Sequence, residues 1–290
     1  MTIVVDMRRT PRLLLSAIAV LGLIGASCGS DSESGSADTT PAVTDTAESP
    51  ITAATPTDAP AASAVEGDVT IFAAASLTAA FTEITDAFMV ENPDANVVLN
   101  FAGSSDLVTQ ITEGAPADVF ASADLNNMTK ITDASLNADE PVVFATNIAE
   151  IIVGAGNPMG VTGVEDLADP SDLIIVQCAP EVPCGSYAER IYENAGITVT
   201  PASFEENVKA VVTKVTLGEA DAGIVYATDV TAAGDEAEGV EIPADINVVA
   251  EYPIAPLVEA PNADGAQAFI DFVLSEQGQK ILASYGFVAT

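Results

Sequence analysis

Residues 66–290 alternate between two hydrophobic periods. Short apolar runs of strand length occupy 69–74, 96–101, 118–121, 150–154, 173–177, 222–226 and 246–250. Between them, apolar residues recur three and four positions apart. That spacing predicts helices over 77–90, 105–113, 124–134, 164–168, 186–195, 205–217, 229–233 and 262–284. Strands alternating with helices predict an α/β fold, with parallel sheets covered by helices on both faces.

Two strand-to-helix junctions share a form. The run from Val69 enters Ala73-Ala74-Ala75-Ser76-Leu77, then a helical pattern through Phe81, Ile84 and Phe88. The run from Val97 enters Phe101-Ala102-Gly103-Ser104-Ser105, then Leu107, Val108 and Ile111. A helix entered directly from a strand has its first N–H groups without acceptors. Those donors, the positive end of the helix dipole and a capping hydroxyl suit a bound anion. Serine at a helix start is also ordinary capping, so spacing alone leaves both readings open.

Residues 1–65 follow neither period. Arg8, Arg9 and Arg12 precede an apolar to weakly polar run from Leu13 to Ser27, too short to span a bilayer comfortably, as in a secretory signal over 1–27. Gly25-Ala26-Ser27-Cys28 resembles a lipoprotein signal, in which Cys28 is lipidated and becomes the mature N-terminus; Gly25 stands where Leu is preferred. Residues 28–65 are Ser, Thr, Ala, Pro and acidic residues with almost no large apolar side chain. Such a segment buries too little surface to offset its ordering entropy and reads as a disordered, lipid-anchored tether.

The formal charge is −35, and beyond residue 27 the chain carries 42 acidic against 5 basic side chains, because residues 1–27 hold three Arg and one Asp. So few cations exclude electrostatic nucleic-acid binding. They do not exclude a small anion, since fields are screened over roughly 10 Å while backbone donors act at contact. The chain has no His, which removes the common Ser-His and Cys-His nucleophile pairs, and no G-x-S-x-G elbow is present. An enzyme is therefore not expected. Cys178 and Cys184 flank a Pro-containing loop and are expected to form a disulfide outside the cytoplasm; two thiols without His make a poor metal site.

Several segments, in order along the chain, resemble the molybdate-binding proteins of bacterial ABC importers. They are Phe72-Ala73-Ala74-Ala75-Ser76-Leu77, Gly114-Ala115-Pro116-Ala117-Asp118-Val119-Phe120, Gly223-Ile224-Val225-Tyr226 with Thr228-Asp229, and Tyr285-Gly286-Phe287. The resemblance implies a two-lobed periplasmic-binding-protein-like fold of type II with two crossing hinge segments. Lobe I would comprise 66–146 and 247–290, and lobe II 147–246. It implies an extracytoplasmic, membrane-anchored, monomeric lipoprotein that captures molybdate or tungstate for an ABC permease, with no cofactor.

Carried onto this chain, the family's ligands fall on Ser76 and Ser104, each through hydroxyl and backbone N–H, with Ser105 as the alternative to Ser104. They fall also on the backbone N–H of Cys184 in Val182-Pro183-Cys184-Gly185, the N–H of Val208, and the Tyr226 hydroxyl. The oxyanion is the ligand, and no direct protein–metal bond is expected. Asp118 and Asp229 are read as structural rather than as a catalytic pair. The alternatives are another tetrahedral oxyanion, such as sulfate or phosphate, and a tethered surface interaction protein.

Overall fold

The computed structural model describes residues 65–169 and 172–289. The signal, Cys28 and the tether lie outside them, except that Val65, at the tether's last position, is buried in the core. In chain order the strands are β1 (Gly67–Ala74), β2 (Ala95–Ala102), β3 (Val119–Ala121), β4 (Val142–Gly154), β5 (Val176–Cys178), β6 (Ser203–Glu205), β7 (Ala222–Tyr226), β8 (Ala237–Glu241) and β9 (Val249–Pro256). The helices are α1 (Thr78–Glu91), α2 (Ser104–Thr112), α3 (Leu125–Asp133), α4 (Pro183–Ala195), α5 (Val208–Thr216), α6 (Ala227–Ala233), α7 (Ala263–Leu274) and α8 (Glu276–Ser284). A 3-10 turn, Ala75–Leu77, joins β1 to α1. None of these helices is long and apolar enough to cross a membrane.

The sheet is mixed, not wholly parallel. β1 pairs parallel with β2 and β3, whereas β9 runs antiparallel to β3 and to β4. β4 changes partners along its length. Val142–Ile148 pair with β9, and from Ala149 onward the strand pairs with β7 and β8, both antiparallel. One continuous strand thus belongs to two groups of elements, and the chain returns through β9. β5 and β6 pair parallel, and Ile175 bridges to Ala222 at the start of β7.

β3 and most of β1 are buried on both faces, which is why they read as apolar runs rather than alternating ones, whereas β2 is only partly covered. Val69, Ile71 and Ala73 of β1 face a core formed with Phe81, Ile84 and Phe88 of α1 and with α7. Phe72 faces the other way, onto Leu107, Val108 and Ile111 of α2 and Met128 and Ile131 of α3. Phe269 sits at the centre of the first core, its ring 5.9 Å from Phe81 and 5.5 Å from Phe88, both edge-on.

Several sequence expectations are corrected. β4 begins at Val142, not 150, because Thr146 and Asn147 interrupt its apolar run although they pair as strand residues. The runs at 173–177 and 246–250 become strands at Val176–Cys178 and Val249–Pro256. β6 is only three residues long, and β8 is an acidic edge strand with mostly exposed side chains, so neither carries a hydrophobic period. The helix expected over 262–284 divides at Ser275, whose extended backbone and hydroxyl, accepting from Gly278 N at 3.1 Å, start α8 afresh.

Phe269→Ala opens a cavity where three aromatic rings meet. It is expected to lower stability by about 3–5 kcal/mol in denaturant unfolding; a loss below about 1 kcal/mol would mean that the ring does not anchor α7.

Candidate functional site

Four helical starts meet at one narrow cavity. Its walls are Ala74–Ser76 after β1, Ala102–Ser104 entering α2, Ala123, Val182–Cys184 entering α4, Asn207–Val208 entering α5, and Tyr226 at the end of β7. Its cavity volume is only about 10 Å³. No lining side chain is charged. Ser76, Ser104, Cys184, Val208 and Tyr226, drawn from five separate segments, are all brought to this one place. Ser105 is not among the lining residues; its hydroxyl is buried and, like that of Tyr226, has no hydrogen-bond partner.

Each segment arrives for a local reason. α4 starts at Pro183, a residue pre-set for a first helical turn and without an N–H to lose. α5 starts after Asn207, whose side chain accepts from Ala210 N at 3.1 Å and leaves Val208 N–H free of the helix ladder. α2 starts after Gly103, where a Cβ would stand 2.5 Å from the Glu206 carbonyl oxygen. Only a residue without a side chain lets the start of α2 approach the start of α5 so closely. Cys178 and Cys184 are disulfide-bonded with Cα atoms 5.7 Å apart, which ties the end of β5 to the first turn of α4.

The three hydroxyls are arranged as donors toward the cavity. Ser104 Oγ accepts from Ala123 N at 3.1 Å, and Ser76 Oγ accepts from the Tyr252 hydroxyl at 3.1 Å. A serine whose oxygen already accepts has its own proton to give. The Tyr226 hydroxyl, in a residue 2% exposed, has no hydrogen-bond partner. A buried orphan of this kind calls for a ligand. Burial pushes the Tyr226 and Tyr252 phenols well above the ordinary tyrosine value, so both remain protonated donors.

The carboxylates nearby are occupied. Asp229, fully buried, meets Lys209 Nζ at 2.8 Å and accepts from Tyr226 N at 3.3 Å; burial raises its carboxyl while Lys209 pulls it back. Asp118 accepts from Thr70 N and Asn262 N, each at 2.6 Å, which pins β1 to the start of α7. Among the described residues, no group of three His, Cys, Asp or Glu could hold a metal ion. The cavity therefore offers hydroxyl and backbone N–H donors and no carboxylate, which suits an oxyanion that can only accept. Tyr252, whose hydroxyl donates to Ser76 Oγ, is the residue that sequence reading missed. It lies in an ordinary apolar strand, 176 positions from its partner.

Residues 69–288 match the family of bacterial extracellular solute-binding proteins. The chain is 43% identical over 219 residues to the molybdate-binding protein ModA of Mycobacterium tuberculosis, covering 76% of this chain and 84% of that one. Among solved structures, the substrate-binding domain of a putative molybdenum ABC transporter from Clostridium difficile is 29% identical with a TM-score of 0.59, covering 78% of this chain and all of that one. The periplasmic molybdate-binding protein of Azotobacter vinelandii aligns with a TM-score of 0.66 over 77% of this chain and 99% of that one; at 18% identity this is a likeness of fold.

Replacing both Cys178 and Cys184 by Ala removes a short cross-link and is expected to lower stability by about 2 kcal/mol. Denaturant midpoints with and without a reductant check this. An unchanged midpoint in the reduced wild type would show that the bond adds nothing to the fold.

Proposed function

The chain belongs to the bacterial extracellular solute-binding proteins, within the molybdate-binding proteins of ABC importers, and from that membership we propose that the cavity captures molybdate and also takes tungstate. The observation that carries the reading is the convergence of three hydroxyl groups, the starts of α2, α4 and α5 and the 3-10 turn after β1 on a space with no charged wall. The proposed ligands are the hydroxyls of Ser76, Ser104 and Tyr226 and the backbone N–H groups of Ser76, Ser104, Cys184 and Val208. Each hydrogen bond to the dianion contributes about 1.5–3 kcal/mol, enough in sum to replace the water the anion gives up. The metal stays inside its oxygen shell, and the protein touches only oxygen. It performs no chemistry on the anion.

In this reading residues 66–146 with 247–290 form one lobe and 147–246 the other, with β4 and the segment leading into β9 as the two crossings. The change of partner in β4 between Ile148 and Ala149 supports that division. Closure over the anion brings both lobes into one surface for the permease. Cys28 carries the lipid, residues 29–65 give the monomeric folded part reach from the extracytoplasmic membrane face, and the signal is removed.

Ser76→Ala combined with Tyr226→Phe is expected to weaken molybdate binding by roughly 10²–10⁴-fold, the loss of two charge-assisted hydrogen bonds, while thermal unfolding without ligand changes little. Titration calorimetry of wild type and variant with molybdate, tungstate, sulfate and phosphate checks this. Retained affinity in the variant would place the pocket elsewhere, and binding of sulfate or phosphate in place of molybdate would change the substrate within the same fold.

The binding has an expected pH profile as well. The Tyr226 phenol is raised on folding, so its donor form persists through the ordinary tyrosine range near pH 10 and is lost only as pH climbs through the higher folded value. Molybdate affinity is therefore expected to stay level from about pH 7 to about pH 10. A decline centred near pH 10 would show a solvated Tyr226.

A further inference from the structure

The hydroxyl of a serine at the end of a strand has three staggered positions, and only one of them points its proton at a given ligand. Something must choose. At Ser104 the choice is made by backbone, because Ala123 N–H donates to the oxygen at 3.1 Å. At Ser76 it is made by a side chain, the Tyr252 hydroxyl, also at 3.1 Å. Tyr252 is fully buried and its ring is held edge-on by Phe287 at 5.3 Å, Tyr226 at 5.9 Å and Phe144 at 6.3 Å. Phe287 belongs to the terminal Tyr285-Gly286-Phe287 segment, which otherwise has no place in the function.

Behind Tyr252 stands Asn147 of β4. Its Oδ1 accepts from Ile148 N at 2.9 Å, which fixes the amide so that its NH2 points the other way. That NH2 donates to Thr228 Oγ1 at 2.8 Å. The Tyr252 hydroxyl donates to Ser76 Oγ, which leaves the Ser76 proton free to be given to the cavity.

We propose that Tyr252 is a positioning residue for the bound oxyanion: by donating to Ser76 Oγ it turns the Ser76 proton into the cavity. It does not touch the ligand. The proposal rests on the reading of the cavity as the oxyanion site.

A double-mutant cycle in the full chain separates this role from simple packing. Tyr252→Phe keeps the ring and removes the hydroxyl. It is expected to weaken molybdate binding about tenfold, equivalent to one hydrogen bond of about 1.4 kcal/mol. In a Ser76→Ala background the same change is expected to cost less than about twofold, and in a Ser104→Ala background the full tenfold, because Ala123 orients Ser104 independently. Thermal unfolding of the ligand-free variants follows the fold separately.

An equal loss in all three backgrounds, or none in the wild-type background, overturns the proposal while leaving the site intact. A wild-type protein that gives no heat with molybdate, tungstate or sulfate overturns the oxyanion reading itself.

Discussion

A helix start leaves its first N–H groups without acceptors, and here the starts of α2, α4 and α5 and the 3-10 turn after β1 all line one cavity. That constraint explains residues that otherwise look unrelated. Pro183 starts α4 without adding an N–H of its own. Gly103 lets α2 come within reach of the Glu206 carbonyl, where a Cβ would collide. The disulfide ties Cys184 to the end of β5, so the first turn of α4 cannot drift from the strand that precedes it. Each feature fixes a helix start within its own group of elements, so the donors of each group need not be reordered one by one when the anion is bound.

The same constraint reconciles an anion site with a chain of net charge −35. The field of a distant carboxylate fades over roughly 10 Å in salt, whereas a donor at contact is hardly screened. The carboxylates that lie close are spent on other partners. Asp229 holds Lys209 and the Tyr226 N–H; Asp124 holds the side chain and N–H of Asn127 and the Ser122 hydroxyl. A free carboxylate on the cavity wall would both repel a dianion and compete for its donors. Placing each one in a cap or an ion pair removes both effects.

How much of this was legible in the sequence depended on the range over which each feature is encoded. β1, β2 and the starts of α1 and α2 are local: an apolar run, small residues, a serine and a helical period lie within a dozen positions, and the residues named from them line the cavity. Ser104 and Ser105 could not be told apart because one helical position is about 100° of rotation, which the start of α2 decides and sequence spacing does not. β8 has no buried face to impose a period, and the break between α7 and α8 was hidden because Leu274-Ser275-Glu276 contains neither Gly nor Pro, although Ser275 is a cap by residue type. Tyr252 was illegible for a different reason. Its meaning lies in a partner far away in the chain, and a tyrosine in an apolar strand has the same local appearance whether its hydroxyl orients a ligand group or merely finds a neighbour.

Tyr252 and the neighbouring Asn147 lie on the segments joining the two groups of strands. Asn147 is in β4 one residue before the strand reaches the turning point of its pairing, and Tyr252 is in β9, the returning strand. Asn247, leading into β9, donates to Ala149 O at 2.9 Å and so joins the two passages directly. The C-terminal residues pair there too, Thr146 N to Val288 O at 2.8 Å and Val288 N to Thr146 O at 3.0 Å. A small rotation at these strands would therefore move Tyr252 and Asn147 relative to Ser76, which is carried by the turn after β1. Hydrogen bonds weaken steeply once their angle or length departs from the favoured range. The direction of the Ser76 proton is thus a property of the joint as much as of the serine, and the arrangement that aims all three hydroxyls at once is the one in which the two groups of strands stand as they do here.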